Sequence, residues 1–163
     1  MPKSYGEVCR TRKPDWLKIK LHKSDAFAEV DRIVKDHSLH TICSSGRCPN
    51  KAECWSRRTA TFMILGDVCT RNCRFCATRT GRPLPPDSDE PRKVAESVRI
   101  MGLRHVVLTS VTRDDLPDHG AAHWAATVSA VREMNPEATI ELLISDFDAR
   151  PELLDTVIAS KPD

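Results

Sequence analysis

Six of the chain's seven cysteines fall in one window, as Cys43-x4-Cys48-x5-Cys54 followed by Cys69-x3-Cys73-x2-Cys76. They form two consecutive triplets rather than pairs of pairs. A thiolate trio closed by a short loop suits three irons of a [4Fe–4S] cube and leaves the fourth iron without a cysteine. That iron can bind another group, which points to chemistry rather than scaffolding. Metal ligation needs the thiolate, and a free cysteine of pKa ~8.5 is mostly protonated at neutral pH, so iron itself must drive the deprotonation. Arg71, Arg74 and Arg79 lie close in sequence and offset the resulting negative charge.

Structural zinc is the competing reading. Zinc usually takes four ligands, often from two C-x2-C pairs. Here the window holds one such pair, Cys73–Cys76, and no histidine between Cys54 and Cys76. For the first triplet a zinc site completed by His40, at His-x2-Cys from Cys43, stays open. His40 or Cys9 is equally an alternative fourth ligand to a cluster. Cys9 by itself reads as an ordinary thiol in a basic leader.

The triplets must be positioned by regular elements. Trp16 to Leu21 alternates apolar and charged residues, as a short edge strand or extended arm would. Ser24 is a candidate N-cap for a helix with Phe27, Val30, Ile33 and Val34 on one face. The run Thr59 to Leu65 reads as a strand that feeds Gly66 and the second triplet. Strand and helix then alternate. Pro83, Pro85 and Pro86 make a stiff loop, and Pro91 starts a helix through Val94, Val98 and Met101 that Gly102 stops. Val106 to Leu108 reads as a strand buried on both faces. Trp124, Val128 and Val131 mark the next helix, ended near Asn135-Pro136; the Trp124 stripe reads as helix core. Ile140 to Ile144 reads as a third buried strand, and Leu154, Val157 and Ile158 as the face of a third helix. The pattern predicts an α/β fold with a parallel sheet. A fourth strand falls due at Lys161-Pro162-Asp163, so the chain reads as the front of a larger barrel with an uncovered edge.

The bulk composition excludes several classes. The 163 residues suffice for one ordinary domain with a real core, and 25 Lys+Arg against 23 Asp+Glu leave a net charge of +2. No global field calls for nucleic acid or a membrane surface, and no run approaches the ~18 apolar residues of a membrane span. The N-terminus lacks the apolar stretch of a secretory signal, and Glu7, Pro14 and Asp15 interrupt an amphipathic transit helix. A cytoplasmic location follows, where clustered cysteines are more often metal ligands than disulfides.

Cys69-Thr-Arg-Asn-Cys73-Arg-Phe75-Cys76, placed directly after a strand, resembles the signature of the radical S-adenosylmethionine (radical SAM) superfamily. The wider upstream trio narrows this. Both trios in this order, with Lys13 to Lys18, Cys48-Pro49-Asn50, Ala60 to Gly66 and Thr109 to Leu116, resemble the lipoyl synthase family across nearly all of residues 13–163. The resemblance implies the N-terminal half of a partial (β/α)6 radical SAM barrel, TIM-like, at residues 58–163, with a cluster-bearing N-terminal extension at residues 1–57. It implies two [4Fe–4S] clusters and S-adenosylmethionine. Cys69, Cys73 and Cys76 would hold the cluster that passes an electron to the sulfonium and releases a 5′-deoxyadenosyl radical. Cys43, Cys48 and Cys54 would hold an auxiliary cluster consumed as the sulfur source. The implied reaction is sulfur insertion at C6 and C8 of an octanoyl chain on a lipoyl carrier domain or glycine-cleavage H protein, a sulfurtransferase step of lipoate biosynthesis. Reduced ferredoxin or flavodoxin would supply electrons.

In such enzymes the loop after the second barrel strand meets the cofactor's methionine part. Here that places Thr109, Ser110, Arg113 and Asp114 at the cofactor, with Phe75 beside it. A hydroxyl pair, an arginine and carboxylates can satisfy both ends of an amino acid. The family usually has Gly-Gly where this chain has His119-Gly120, and acidic residues where it has Ser44-Ser45. Its C-terminal Arg-Ser-Ser-Tyr segment, whose serine ligates the auxiliary cluster, is absent from this sequence. A chain of this extent is expected to cleave the cofactor poorly, and the alternatives are a non-catalytic cluster-binding fragment or half of a split enzyme.

Overall fold

The computed structural model describes Pro14 and residues 24–163. The expected strand at Trp16 to Leu21, and Cys9, lie outside the described residues. Helix α1 (Asp25–Asp36) begins where Ser24 Oγ accepts the Phe27 N–H at 3.2 Å, and it buries Val30, Ile33 and Val34. A two-residue strand β1 (His40–Thr41) follows, then short helices α2 (Ile42–Ser45) and α3 (Lys51–Ser56). Strand β2 (Thr61–Ile64) leads to the paired strands β3 (Val68–Cys69) and β4 (Arg79–Thr80), which bracket the second cysteine triplet.

The remaining elements are α4 (Glu90–Met101), β5 (His105–Ser110), α5 (Ala121–Met134), β6 (Thr139–Leu143), a 3-10 turn at Phe147–Ala149 and α6 (Pro151–Ala159). Pro91 sits in the first turn of α4, and Gly102 ends the helix at φ +63°, a left-handed value that a glycine adopts without steric cost. The Asp118 carboxylate accepts the Gly120 and Ala122 N–H groups at 3.0 and 2.9 Å and so starts α5.

The main sheet is mixed, in the order β1-β2-β5-β6. Strands β2, β5 and β6 are parallel, with Thr61 opposite Val107 and His105 opposite Thr139. Strand β1 runs antiparallel to β2, with His40 opposite Met63, so the segment before the first triplet is hydrogen-bonded into the same sheet. The core lies where α4, α5 and α6 meet the sheet: Phe62, Ile64, Val94, Val98, Val106, Leu108, Trp124, Val128 and Ile140 are all buried. This α/β arrangement matches the expected class.

Two expectations change at the far side. Of β6, Ile140 is buried, whereas Leu143 and the following Ile144 are exposed, because β6 is the sheet's edge and no described element covers its outer side. On α6 the buried residues are Leu153 and Val157, while Ile158 faces solvent. The sequence pattern marks which residues are apolar; which of them are covered depends on the neighbour.

Candidate metal and cofactor site

The first triplet rests on helices. Thr41 Oγ1 accepts the Ser44 N–H at 3.3 Å and caps α2, which carries the buried Cys43. The chain folds back tightly, with the Cys48 N–H donating to the Cys43 carbonyl at 3.1 Å and the Cys54 N–H to that of Asn50 at 3.0 Å. Trp55 anchors α3 against Phe27, ring centroids 5.3 Å apart, and Lys51 Nζ lies 3.9 Å from the Trp55 ring centroid. Lys51 also donates to Ser44 Oγ at 2.8 Å, tying α3 to α2. Burial pushes the Cys54 thiol up, and the nearby Cys43 and Cys48 sulfurs push it further. Cys43 and Cys48 thus lie close enough to act on the Cys54 sulfur.

The second triplet stands on a loop. Cys69 ends β3, and its Sγ accepts the Thr112 N–H at 3.3 Å. The Gly81 N–H donates to the Cys69 carbonyl at 3.0 Å, and the Cys76 N–H to that of Cys73, also at 3.0 Å. Cys73 and Cys76 are exposed, and Phe75 between them is 93% exposed. Hydrogen bonds from the Thr78 side chain and backbone draw the Cys76 thiol below its usual range. All six cysteines of the two trios are free thiols.

Arg71, inside this loop, fixes it to its neighbours. Its guanidinium holds Asp114 through Nε and Nη2, both at 2.8 Å, and reaches Asp146 at 2.7 Å and Asp148 at 2.9 Å. These carboxylates come from the loops after β5 and β6. The Asp114 and Asp146 carboxyls lie below the ordinary range because of Arg71, and the Arg71 guanidinium is raised in turn. Thr70 Oγ1 donates to the Thr112 carbonyl at 3.0 Å and lies 2.9 Å from Asp114 Oδ2. Asp114, His119 and Asp148 bring one potential ligand atom each within 4.8 Å of one another. The guanidinium of Arg71 already stands against both carboxylates, so that corner has its cation.

Of the residues expected at the cofactor, Thr109 and Ser110 lie half-buried at the C-terminal end of β5, with Thr109 Oγ1 donating to the Leu143 carbonyl at 3.1 Å. Asp114 joins the Arg71 network. Arg113 is instead 1% exposed, its Nε and Nη2 each 2.9 Å from the Asp115 carboxylate and its Nη1 3.2 Å from the Leu65 carbonyl. His40 lines a cavity of about 300 Å3 with Leu65, Val68, Arg79 and Glu90. Sequence reasoning missed Asp146 and Asp148. The signal was available, since carboxylates directly after a parallel strand's C-terminal end sit where barrel sites form.

The Radical SAM superfamily model matches residues 63–163, which is most of the chain. The chain belongs to the radical SAM superfamily. It is 60% identical to the lipoyl synthase of Bacteroides fragilis over 158 residues, covering 97% of this chain and 55% of that protein. The lipoyl synthase of Bacteroides thetaiotaomicron is 60% identical over 154 residues, covering 94% and 55%. That of Chlorobaculum parvum is 55% identical over 153 residues, covering 93% and 52%. The chain thus corresponds to the N-terminal portion of lipoyl synthases and spans about half the length of these curated relatives. Superfamily membership implies a [4Fe–4S] cluster and S-adenosylmethionine, and the second trio fits the cluster: three free thiols on one short loop, one sulfur already accepting an N–H and one thiol drawn toward ionisation. No described helix is long and apolar enough to cross a membrane.

Proposed function

We propose that this chain is the cluster-bearing portion of a lipoyl synthase, inserting sulfur at C6 and C8 of an octanoyl chain on a lipoyl carrier domain or glycine-cleavage H protein. In this reading residues 1–57 form the extension with the auxiliary cluster and residues 58–163 the first half of a (β/α)6 barrel. Cys69, Cys73 and Cys76 hold one [4Fe–4S] cluster, and Cys43, Cys48 and Cys54 hold the second. When bound, the first cluster and S-adenosylmethionine supply one-electron reduction and hydrogen-atom removal, and the second cluster supplies sulfur. Ferredoxin or flavodoxin delivers the electron, and the setting is cytoplasmic.

The chain's own residues orient these groups. The Thr112 N–H steadies the Cys69 sulfur, and Thr78 favours the Cys76 thiolate. Arg71 locks the loop onto Asp114, Asp146 and Asp148. Phe75 offers an apolar surface beside the loop, and Thr109, Ser110 and Asp114 offer polar atoms at the strand end. Arg113 contributes from beneath, through Asp115 and Leu65.

The observation that carries the reading is the presence of both trios in one chain that is 60% identical to lipoyl synthase over almost its whole length. Anaerobic reconstitution tests it: about eight irons per chain are expected for two cubes. Zinc in place of iron would overturn it. A second reading, a portion that binds clusters but does not turn over alone, is favoured by the chain's spanning only 55% of the length of the relatives it matches. The 163-residue chain is expected to cleave S-adenosylmethionine weakly and to form no lipoyl group. Adding a polypeptide equivalent to the C-terminal half of a relative should restore conversion of octanoylated H protein, read by mass spectrometry. Efficient conversion by the chain alone would exclude the fragment reading.

A further inference from the structure

The backbone that launches the second cysteine loop does so through Leu65, at φ +68°. A leucine in the left-handed region is strained by its β-carbon, so its surroundings must hold it there. Both polar groups of this residue are gripped by buried charged side chains. The Leu65 N–H donates to Glu90 Oε2 at 2.8 Å, and the Leu65 carbonyl accepts from Arg113 Nη1 at 3.2 Å.

Neither side chain has a surface reason to be there. Glu90 is 6% exposed in the first turn of α4, and Arg113 is 1% exposed in the loop after β5. Each is itself held from behind. His123 Nε2, on α5, is hydrogen-bonded to Glu90 Oε2 at 2.6 Å. Asp115 holds Arg113 by two bonds of 2.9 Å. A buried charge without partners is strongly unfavourable, and here the partners include one backbone peptide on each side of a strained residue. Four residues further on, Cys69 begins the metal-binding loop.

We infer that Glu90 and Arg113, backed by His123 and Asp115, are positioning residues that clamp Leu65 and thereby set where the Cys69–Cys76 loop leaves the sheet. The inference rests on the second trio holding a cluster and is independent of sulfur insertion. Removing a partner that orients ligands from outside their shell typically weakens metal affinity about tenfold or more.

The test uses the anaerobically reconstituted full chain, with iron loss to a chelator and the electron paramagnetic resonance spectrum of the reduced cluster as readouts. Glu90→Leu removes the acceptor for the Leu65 N–H and is expected to release iron about tenfold faster and to broaden the spectrum. Glu90→Gln keeps an acceptor oxygen and is expected to stay close to the parent chain in both. Val128→Ala empties a buried position on α5, five residues beyond His123 and outside the hydrogen bonds of the clamp, and should lower the melting temperature without altering the spectrum. The clamp is overturned if Glu90→Leu holds iron like the parent. It is also overturned if Glu90→Gln fails as Glu90→Leu does, or if Val128→Ala loses iron equally at the same loss of stability. A parent chain that takes up no iron would instead defeat the cluster assignment itself.

Discussion

The two cysteine trios are built by opposite means. Cys43 and Cys54 ride on two short helices pinned by Trp55, with Cys48 in the turn between them, Cys43 in the core and the Cys54 thiol raised by burial and by its neighbours. Cys73 and Cys76 ride on an exposed loop that leaves β3 at the half-buried Cys69, with Cys76 lowered and the loop tied outward through Arg71. Helix packing places the first set; charged hydrogen bonds place the second. A site meant to admit an outside molecule gains from exposure. A buried one gains from enclosure, and each arrangement has its own weak point.

That contrast can be broken most severely at the loop. Cys73→Ala is expected to abolish reductive cleavage of S-adenosylmethionine while leaving the first trio's iron in place, as iron and sulfide analysis of the variant would show. Arg71→Ala takes from Asp114, Asp146 and Asp148 the guanidinium they share. It should destabilise the metal-free chain by about 1–2 kcal/mol after allowance for partial exposure, measured by urea unfolding. The helical trio should scarcely notice, so Cys43 should stay as slow to alkylate as before.

Acid sharpens the comparison further. Asp114 and Asp115 have folded-state pKa values below the ~3.9 of an unfolded aspartate, through Arg71 and Arg113 respectively. Their contribution is therefore present above about pH 4 and is lost as the pH falls through the folded values. Stability of the parent chain should drop in that window, and that of Arg71→Ala should drop less steeply. In the metal-free chain, Cys73 and Cys76 should react with iodoacetamide well before Cys43, by mass spectrometry, because they are exposed and Cys43 is buried. The smallest effect is expected at Thr41→Ala, which removes the α2 cap and about 1 kcal/mol of stability. It should slow iron uptake at the first trio alone.

Much of this was legible in the residue pattern. Ser24, Pro91 and Gly102 mark helix ends by local chemistry, and the structure places the ends there. The alternation of apolar runs correctly gives three parallel strands with helices between them. Strand β1 escaped notice because two residues carry no period, and the β3–β4 pair because its neighbours in sequence are mostly polar. At the candidate site, spacing singled out both trios, but it could not tell that Arg113 points into the protein while Arg71 points across three loops. Arginine is the same letter in either role. Only the placement of Asp115 and Leu65 on one side, and of Asp146 and Asp148 on the other, separates them.

Leu65 has another neighbour with consequences for how the sequence can vary. A β-carbon added at Gly120 would lie 2.5 Å from Leu65 Cδ1, on a backbone at φ +87°. The Leu65 side chain can turn aside, but the left-handed backbone at 120 strains any residue that carries a β-carbon, whatever stands at 65. Drift at this pair is therefore one-sided, and an aligned set of homologues should keep glycine at position 120.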